Sequence, residues 1–99
     1  MDIDVDGFDW DGGNRGKCAG HGVAIADIEA LFAAAPLVAP DPKHSAAETR
    51  FIAIGRDGRG RPMFVAFTLR VRDGLRLIRP VSARYMHAKE IKAYEARRT

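Results

Sequence analysis

Between residues 50 and 84, three short runs rich in hydrophobic residues are separated by polar breaks that contain glycine, a pattern typical of β-strands joined by turns. The runs RFIAIGR (50–56) and MFVAFTLRVR (63–72) are separated by the turn sequence DGRG, and RDG precedes a third run over residues 75 to about 84. Glycine and aspartate in these breaks suit tight hairpin turns. The middle of the chain therefore predicts a three-stranded antiparallel meander.

The two faces of this meander are expected to differ. In the second strand, hydrophobic residues occupy one face, whereas the other face becomes cationic toward its end with Arg70 and Arg72. In the third strand, Arg79 and Arg84 fall on opposite faces if Pro80 causes no bulge. Arginine is an unusual choice inside a short strand, so these side chains are the first candidates for a functional surface.

The chain before the meander has the hydrophobic spacing of helices. A short extended segment at 8–10 leads to Asp11, a suitable N-cap for a helix over residues 12–20, although four glycines weaken that helix. Over residues 24–35 the hydrophobic positions recur at the interval of a helix with one buried stripe. Pro36 ends this second helix.

A last helix follows the meander. It is predicted to begin near His87, with Glu90 at the N3 position of its cap and Tyr94 on its hydrophobic stripe. Ser45 and Glu48 also have capping-box spacing, which predicts one turn before the first meander strand. The order of a short strand, two helices, an antiparallel sheet and a terminal helix indicates an α+β fold.

Composition places these elements in one soluble domain that covers residues 1–99. The chain has 99 residues, 46% of them hydrophobic and 29% charged, which is ordinary for a small globular protein. No run is long enough to span a membrane, and the acidic start MDIDVDGFDWD is unlike the basic start of a signal peptide. Cys18 is the only cysteine and cannot form an internal disulfide. We therefore expect a cytoplasmic protein with no membrane contact.

Charge is distributed unevenly along the chain. Residues 1–49 carry three Lys and Arg against nine Asp and Glu, whereas residues 50–99 carry thirteen against four. A basic half of this density could bind nucleic acid or another polyanion. It could equally be a solvated surface, and charge alone does not decide between the two.

Four segments of the chain together resemble the BrnT family of toxins. They are FDWDGGNRGKCAGHGVAIADIEALF, PDPKHSAAETRFIAIG, GRPMFVAFTLR and LIRPVSARYMHAKEIKAYE. The resemblance extends from about residue 8 to residue 96. BrnT proteins are the ribonuclease halves of bacterial type II toxin–antitoxin pairs and have a RelE-like fold. One departure is Ala24, which stands where the family commonly has a serine N-cap.

The resemblance implies a fold, an activity and a partner. The fold would be a small antiparallel sheet with two N-terminal helices and one C-terminal helix. The activity would be metal-independent RNA cleavage that inhibits translation, with no cofactor. The partner would be a BrnA-like antitoxin with a ribbon-helix-helix DNA-binding domain, in a 2:2 complex that reaches operator DNA only through the antitoxin.

Metal-free cleavage of RNA requires attack of a 2′-hydroxyl on its neighbouring phosphate, proton transfer, and a ligand for the charged oxygens that form. Arginine suits the last task because its planar fork binds phosphate bidentately and stays charged. The resemblance to RelE-like ribonucleases implies that Arg84 and Tyr94 are catalytic and that Arg79 and Arg70 position the substrate. His44 is a further catalytic candidate. The other predicted substrate contacts are Arg61, Arg76 and Lys89.

Each candidate has a structural alternative. Arg79 or Arg84 could form an ion pair with Glu90 or Glu95 at the surface. Tyr94 could belong to the core, with its hydroxyl at the rim.

The histidines are open to the same question. His44 lies near Asp41 and Glu48 in sequence and could be a general base or a brace of its loop. The spacing of His44 and Glu48 suggests metal ligation, but no third ligand is near them in sequence, so no metal site is expected. His21 is interpreted as a helix-end residue that complements the helix dipole.

Two other functions fit the same sequence. The chain could be a non-catalytic nucleic-acid-binding module, for which a basic face is sufficient. It could also be an interaction protein whose cationic surface receives an acidic partner. Loss of toxicity on changing Arg84, with folding and partner binding intact, would separate the ribonuclease from both.

Overall fold

A computed structural model describes residues 5–44 and 46–98 of the chain. The elements in chain order are β1 (Gly7–Phe8), α1 (Gly12–Ala19), α2 (Ile25–Ala33), β2 (Leu37–Pro40), a 3₁₀ turn (Pro42–His44), β3 (Phe51–Arg56), β4 (Pro62–Arg72), β5 (Leu75–Tyr85) and α3 (Ala88–Arg98). The strands form one sheet in the order β1-β5-β4-β3-β2. The predicted α+β fold is confirmed.

The core lies between α2 and one face of the sheet. Ile28 and Leu31 of α2 are buried against a cluster that includes Val65 and Phe67 of β4. Successive side chains of β4 point to opposite faces of the sheet, and burial of the set that includes Val65 and Phe67 holds the sheet to the helix. Gly55 of β3 allows close approach, because a Cβ there would lie 3.1 Å from Leu31 Cγ.

Helix α1 is held by polar contacts at its start. Asp11 is the N-cap, and its side chain accepts hydrogen bonds from the amides of Gly13 and Asn14. The Asn14 side chain accepts in return from the Asp11 amide, which completes a capping box. Asn14 Nδ2 also donates to Pro80 O of β5 at 2.9 Å. These contacts explain why a glycine-rich segment is helical, and they fix α1 against β5.

Two features of the sheet were not predicted. The sheet is mixed rather than purely antiparallel, because β1 pairs in parallel with β5. In addition, residues 37–40 form the edge strand β2, which pairs with β3. A four-residue segment that ends in proline carries too little alternation to indicate a strand. The turn predicted from Ser45 falls on a residue outside the described ranges, and the 3₁₀ turn at Pro42–His44 ends just before it.

The condition on which Arg79 and Arg84 would face opposite sides of the sheet, that Pro80 causes no bulge, is not met. Ser82 pairs with Ala66, but Phe67, the next residue of β4, pairs with Pro80, so β5 carries an extra residue at this point. Such a β-bulge reverses the alternation of one strand relative to its partner. Pro80 lacks the amide hydrogen that a regular ladder would use. Arg79 and Arg84 therefore lie on the same face.

None of the helices in the described part of the chain has both the length and the hydrophobicity needed to cross a membrane.

Candidate active site

The sheet face opposite α2 carries most of the predicted site residues, and we call it the arginine face. Strand register assigns to it Phe64, Ala66, Thr68 and Arg70 of β4, and Arg79, Ser82 and Arg84 of β5. Helix α3 lies at one end of this face, where Tyr94 and Met86 line a small cavity with Phe64. The bulge in β5 is what brings both β5 arginines onto this face.

A cleft of about 360 Å³ opens on the arginine face, and we call it the Arg84 cleft. Its polar residues come from four places in the fold: the turn after α1, the loop after β2, the 3₁₀ turn and β5. They are His21, Asp41, His44, Ser82 and Arg84. Its floor is apolar and includes Ile52, Phe64 and Ala66. A guanidinium, two imidazoles and a carboxylate therefore surround one apolar-floored cavity.

Arg84 is held in a fixed orientation at this cleft. Its two terminal nitrogens donate to the two oxygens of Glu90 at 2.8 and 2.9 Å. Its guanidinium carbon lies 4.7 Å from the centroid of the Phe64 ring. The Arg84 side chain is still 42% exposed, so a ligand in the cleft can reach it. Of the two interpretations from sequence, the Glu90 ion pair is therefore present, and it leaves the guanidinium accessible.

Glu90 has a second task besides pairing with Arg84. Its Oε1 accepts a hydrogen bond from the backbone amide of His87 at 2.9 Å, at the start of α3, as predicted for a residue at N3 of a cap. The hydrogen bond from Arg84, followed by that from His87, lowers the pKa of Glu90 from 4.5 to about 2. The pKa of Arg84 is raised mainly by the same hydrogen bond. Glu90 thus ties the start of α3 to the cleft arginine.

Arg79 lies on the same face but outside the lining of the Arg84 cleft. Its Nη1 is 2.9 Å from Asp11 Oδ2 and 3.5 Å from Asp9 Oδ2, and its side chain is only 17% exposed. The hydrogen bond from Arg79 is the main cause that lowers the pKa of Asp11 from 3.8 to about 2. Arg79 therefore connects the start of α1 to the sheet.

The predicted substrate-binding residues are spread over the surface. Arg70 forms two hydrogen bonds to Glu48, at 2.8 and 3.1 Å. Arg61 stacks over the ring of Tyr85, with its guanidinium carbon 3.8 Å from the ring centroid. Arg76 and Lys89 are exposed. None of these four residues is among those that line the Arg84 cleft.

His44 and Asp41 form a pair at the rim of the cleft. His44 Nδ1 lies 3.0 Å from Asp41 Oδ2, and the His44 side chain is 61% exposed while that of Asp41 is 15% exposed. The amide of His44 also donates to Asp41 O at 3.2 Å, within the 3₁₀ turn. The brace predicted from sequence is therefore present, and it positions the imidazole at the cleft.

His21 was missed as a site residue. It is exposed in the turn that follows α1, and it lines the same cleft as His44 and Arg84. Nothing in local spacing indicates this, because His21 and His44 are far apart in sequence. Only the packing of α1 along β5 brings the turn after α1 to the cleft.

Tyr94 lies in the packing between α3 and the sheet. It is 6% exposed, and it lines a cavity with Leu37 and Ile54 rather than the Arg84 cleft. The guanidinium carbon of Arg56 is 5.5 Å from the centroid of its ring. The prediction that Tyr94 contacts a phosphate beside Arg84 finds no support in this position.

Tyr85, the last residue of β5, is hydrogen-bonded to the turn between β3 and β4. Its hydroxyl donates to Asp57 Oδ2 at 2.9 Å. Burial, followed by the hydrogen bond to Asp57, raises the pKa of Tyr85. Asp57 also accepts from the amides of Arg59 and Arg61 in the β3–β4 turn. This network shapes the hairpin turn that carries Arg61.

In residues 5–44 and 46–98, no three His, Cys, Asp or Glu side chains are grouped in a way that would hold a metal ion.

The fold and the site define a small α+β protein whose accessible guanidinium and paired imidazole suit a phosphate-containing ligand. Residues 10–90 match the family model described as "Ribonuclease toxin, BrnT, of type II toxin-antitoxin system". The chain therefore belongs to the BrnT family, and the resemblance of its sequence to that family is confirmed. A comparison with curated proteins finds no match. Membership in the family indicates a ribonuclease toxin and implies an antitoxin partner.

Proposed function

We propose that this protein is an endoribonuclease that cuts RNA in the Arg84 cleft without a metal ion and so inhibits translation. The observation that carries the proposal is that the Arg84 side chain is 42% exposed and lines the same cavity as the His44–Asp41 pair. A planar guanidinium can contact two oxygens of a phosphate at once. The apolar floor beside it reduces competition from water and strengthens that contact.

In the proposed reaction a 2′-oxygen attacks the adjacent phosphorus, and Arg84 binds the oxygens on which charge develops. To do so, Arg84 exchanges its contact with Glu90 for the phosphate, since both are anions with similarly spaced oxygens. Glu90 holds the fork ready in the free protein. In this proposal His44 accepts the proton, and the contact between its ring and Asp41 supports that role.

The other cations have supporting roles in this proposal. Arg61, Arg76 and Lys89 are exposed and attract the RNA backbone through charge. Arg70 positions substrate farther along the same face. Arg79 is largely buried by its ion pairs, so we assign it to holding the start of α1 rather than to contact with the scissile phosphate.

We further propose that the antitoxin is BrnA-like, with a ribbon-helix-helix domain that dimerises and contacts operator DNA. An acidic or amphipathic segment of that antitoxin would lie over the arginine face and occlude the Arg84 cleft. The expected complex is 2:2, and its place of action is the cytoplasm, where RNA and antitoxin are made. Light scattering of the co-purified complex tests this, and a lone 1:1 heterodimer would contradict it.

The ribonuclease proposal is tested with purified, antitoxin-free protein on total RNA, with and without excess EDTA. We expect discrete cleavage products in both conditions, and inhibition of protein synthesis when the toxin is added to a translation extract. Abolition of cleavage by EDTA would contradict the metal-free reaction. Retention of RNA without any cleavage would instead identify a nucleic-acid-binding module.

A further inference from the structure

We propose that His21 and His44 are the two proton-transfer groups of the Arg84 cleft, with Asp41 behind His44. This inference rests on the proposed ribonuclease function and assigns separate acid and base roles to the two imidazoles. Both histidines line the same cavity as Arg84. The third histidine of the chain, His87, is exposed and is absent from the lining of that cavity.

Each imidazole is carried by a segment that the fold holds in place. His21 follows α1, which is anchored to β5 by the bond from Asn14 to Pro80 O and by the fully buried Cys18. His44 ends the 3₁₀ turn, and the amide of Asp41 at the start of that turn donates to Arg50 O at 2.8 Å. Neither histidine is needed for the core, since both side chains are exposed. Their common feature is the cleft.

The charged groups around the two rings suggest which one accepts the proton. Asp41 and Arg84 are the charged residues that line the cleft with them, and Arg84 is itself paired with Glu90. Asp41 contacts His44 Nδ1, so it stabilises the imidazolium that forms when His44 takes a proton at its other nitrogen. His44 is therefore the base and His21 the acid.

The proposed step balances without any further reactant. Neutral His44 removes the proton of the 2′-hydroxyl while the 2′-oxygen bonds to phosphorus. The bond from phosphorus to the 5′-oxygen breaks, and protonated His21 gives its proton to that oxygen. The products are a 2′,3′-cyclic phosphate end and a 5′-hydroxyl end. His44 then releases its extra proton to water, and His21 takes a proton from water, which restores the starting state of the cleft.

The test compares His21→Gln and His44→Gln with His87→Gln as the matched control, using the rate of RNA cleavage from pH 5 to 9. Imidazole normally changes its charge within this range. We expect a bell-shaped profile for the wild type and for His87→Gln. His44→Gln should lose the rise on the acidic side and His21→Gln the fall on the alkaline side, each with a rate reduced by about 10²–10⁴.

A modified substrate distinguishes catalysis from a structural effect. An RNA dinucleotide with sulfur in place of the 5′-bridging oxygen has a leaving group that needs no proton. We expect this substrate to restore most of the rate to His21→Gln and none to His44→Gln. Equal rates of RNA cleavage by His21→Gln, His44→Gln and His87→Gln, or pH profiles like that of the wild type, would overturn the assignment of the two histidines. Either result would leave the ribonuclease proposal standing. A wild-type protein that cleaves no RNA would instead overturn the proposed function and this inference with it.

Discussion

Replacement of Ala24 by serine should stabilise the protein by capping α2. Ala24 occupies the N-cap position with φ −76° and ψ 145°, the extended conformation of a cap residue, and it makes no side-chain cap bond. Because Ala24 is exposed, a serine hydroxyl there costs no burial of a polar group. Serine would supply a side-chain acceptor for an amide of the first turn, where the amides have no carbonyl partner four residues back.

The expected gain lies in the lower part of the usual range. A serine N-cap is worth about 0.5–2 kcal/mol over alanine. Here the amide of Asp27 already donates to Ala24 O at 3.0 Å, and the Asp27 carboxylate already lies in the first turn. We therefore expect a gain of about 0.5–1 kcal/mol in the free energy of unfolding. For a domain of this size that raises Tm by about 2–8 °C.

Thermal and urea denaturation of antitoxin-free protein measure this gain. Ala33→Ser is the control, because Ala33 is exposed at the far end of α2, where serine has no cap to form and lowers helix propensity slightly. The denaturant slope should be the same in all three proteins. An unchanged or lower midpoint for Ala24→Ser at an unchanged slope would refute the assignment of Ala24 as the cap.

Three further predictions concern the contacts of Glu90, Tyr94 and Asp11. Glu90→Gln should tighten RNA binding in a filter assay, because it removes the carboxylate that occupies Arg84 and keeps an acceptor for the α3 cap. Weaker binding would show that Glu90 supports RNA binding by Arg84 rather than competing with the RNA phosphate. Tyr94→Phe should cleave RNA at nearly the wild-type rate, because the ring packs outside the Arg84 cleft. A fall of about 10² in the cleavage rate would show that the Tyr94 hydroxyl is a catalytic group after all. Folding lowers the pKa of Asp11 from 3.8 to about 2 and that of Glu90 from 4.5 to about 2. The ionised carboxylates therefore stabilise the folded protein, and this contribution is complete above about pH 4.5. It is lost as the pH falls toward 2 and the carboxylates become protonated in the folded protein. Tm measured from pH 5 to 2 should fall over this interval, and a flat curve would contradict the two ion pairs.

The strands of the meander could be predicted because their signal is local. Hydrophobic runs bounded by turn sequences indicated strands at 50–56, 63–72 and 75 to about 84, and the structure has them at Phe51–Arg56, Pro62–Arg72 and Leu75–Tyr85. The edge strands β1 and β2 are two and four residues long, and they exist because of partners distant in sequence. Local pattern cannot indicate pairings of that kind.

The site was predicted less completely than the fold for the same reason. Arg84 and His44 were singled out by residue type and by family resemblance, and the structure brings them together. The relation of Arg79 to Arg84 depends on the bulge at residues 80–82, which alternation alone does not reveal. His21 reaches the cleft only through the packing of α1 on β5, so its neighbours could not be read from its position in the chain.

The most direct test of the central claim is the rate of RNA cleavage by wild type, Arg84→Lys and Arg84→Ala, measured with purified, antitoxin-free protein in excess EDTA. If the Arg84 fork binds the charged oxygens of the transition state, Arg84→Ala should lose about 10²–10³ in rate. Arg84→Lys should remain impaired, because an ammonium cannot reproduce the bidentate contact. Both variants should keep their fold, since Arg84 is 42% exposed and lies outside the core. Near-wild-type cleavage by Arg84→Ala would contradict the account and move the reaction away from this cleft.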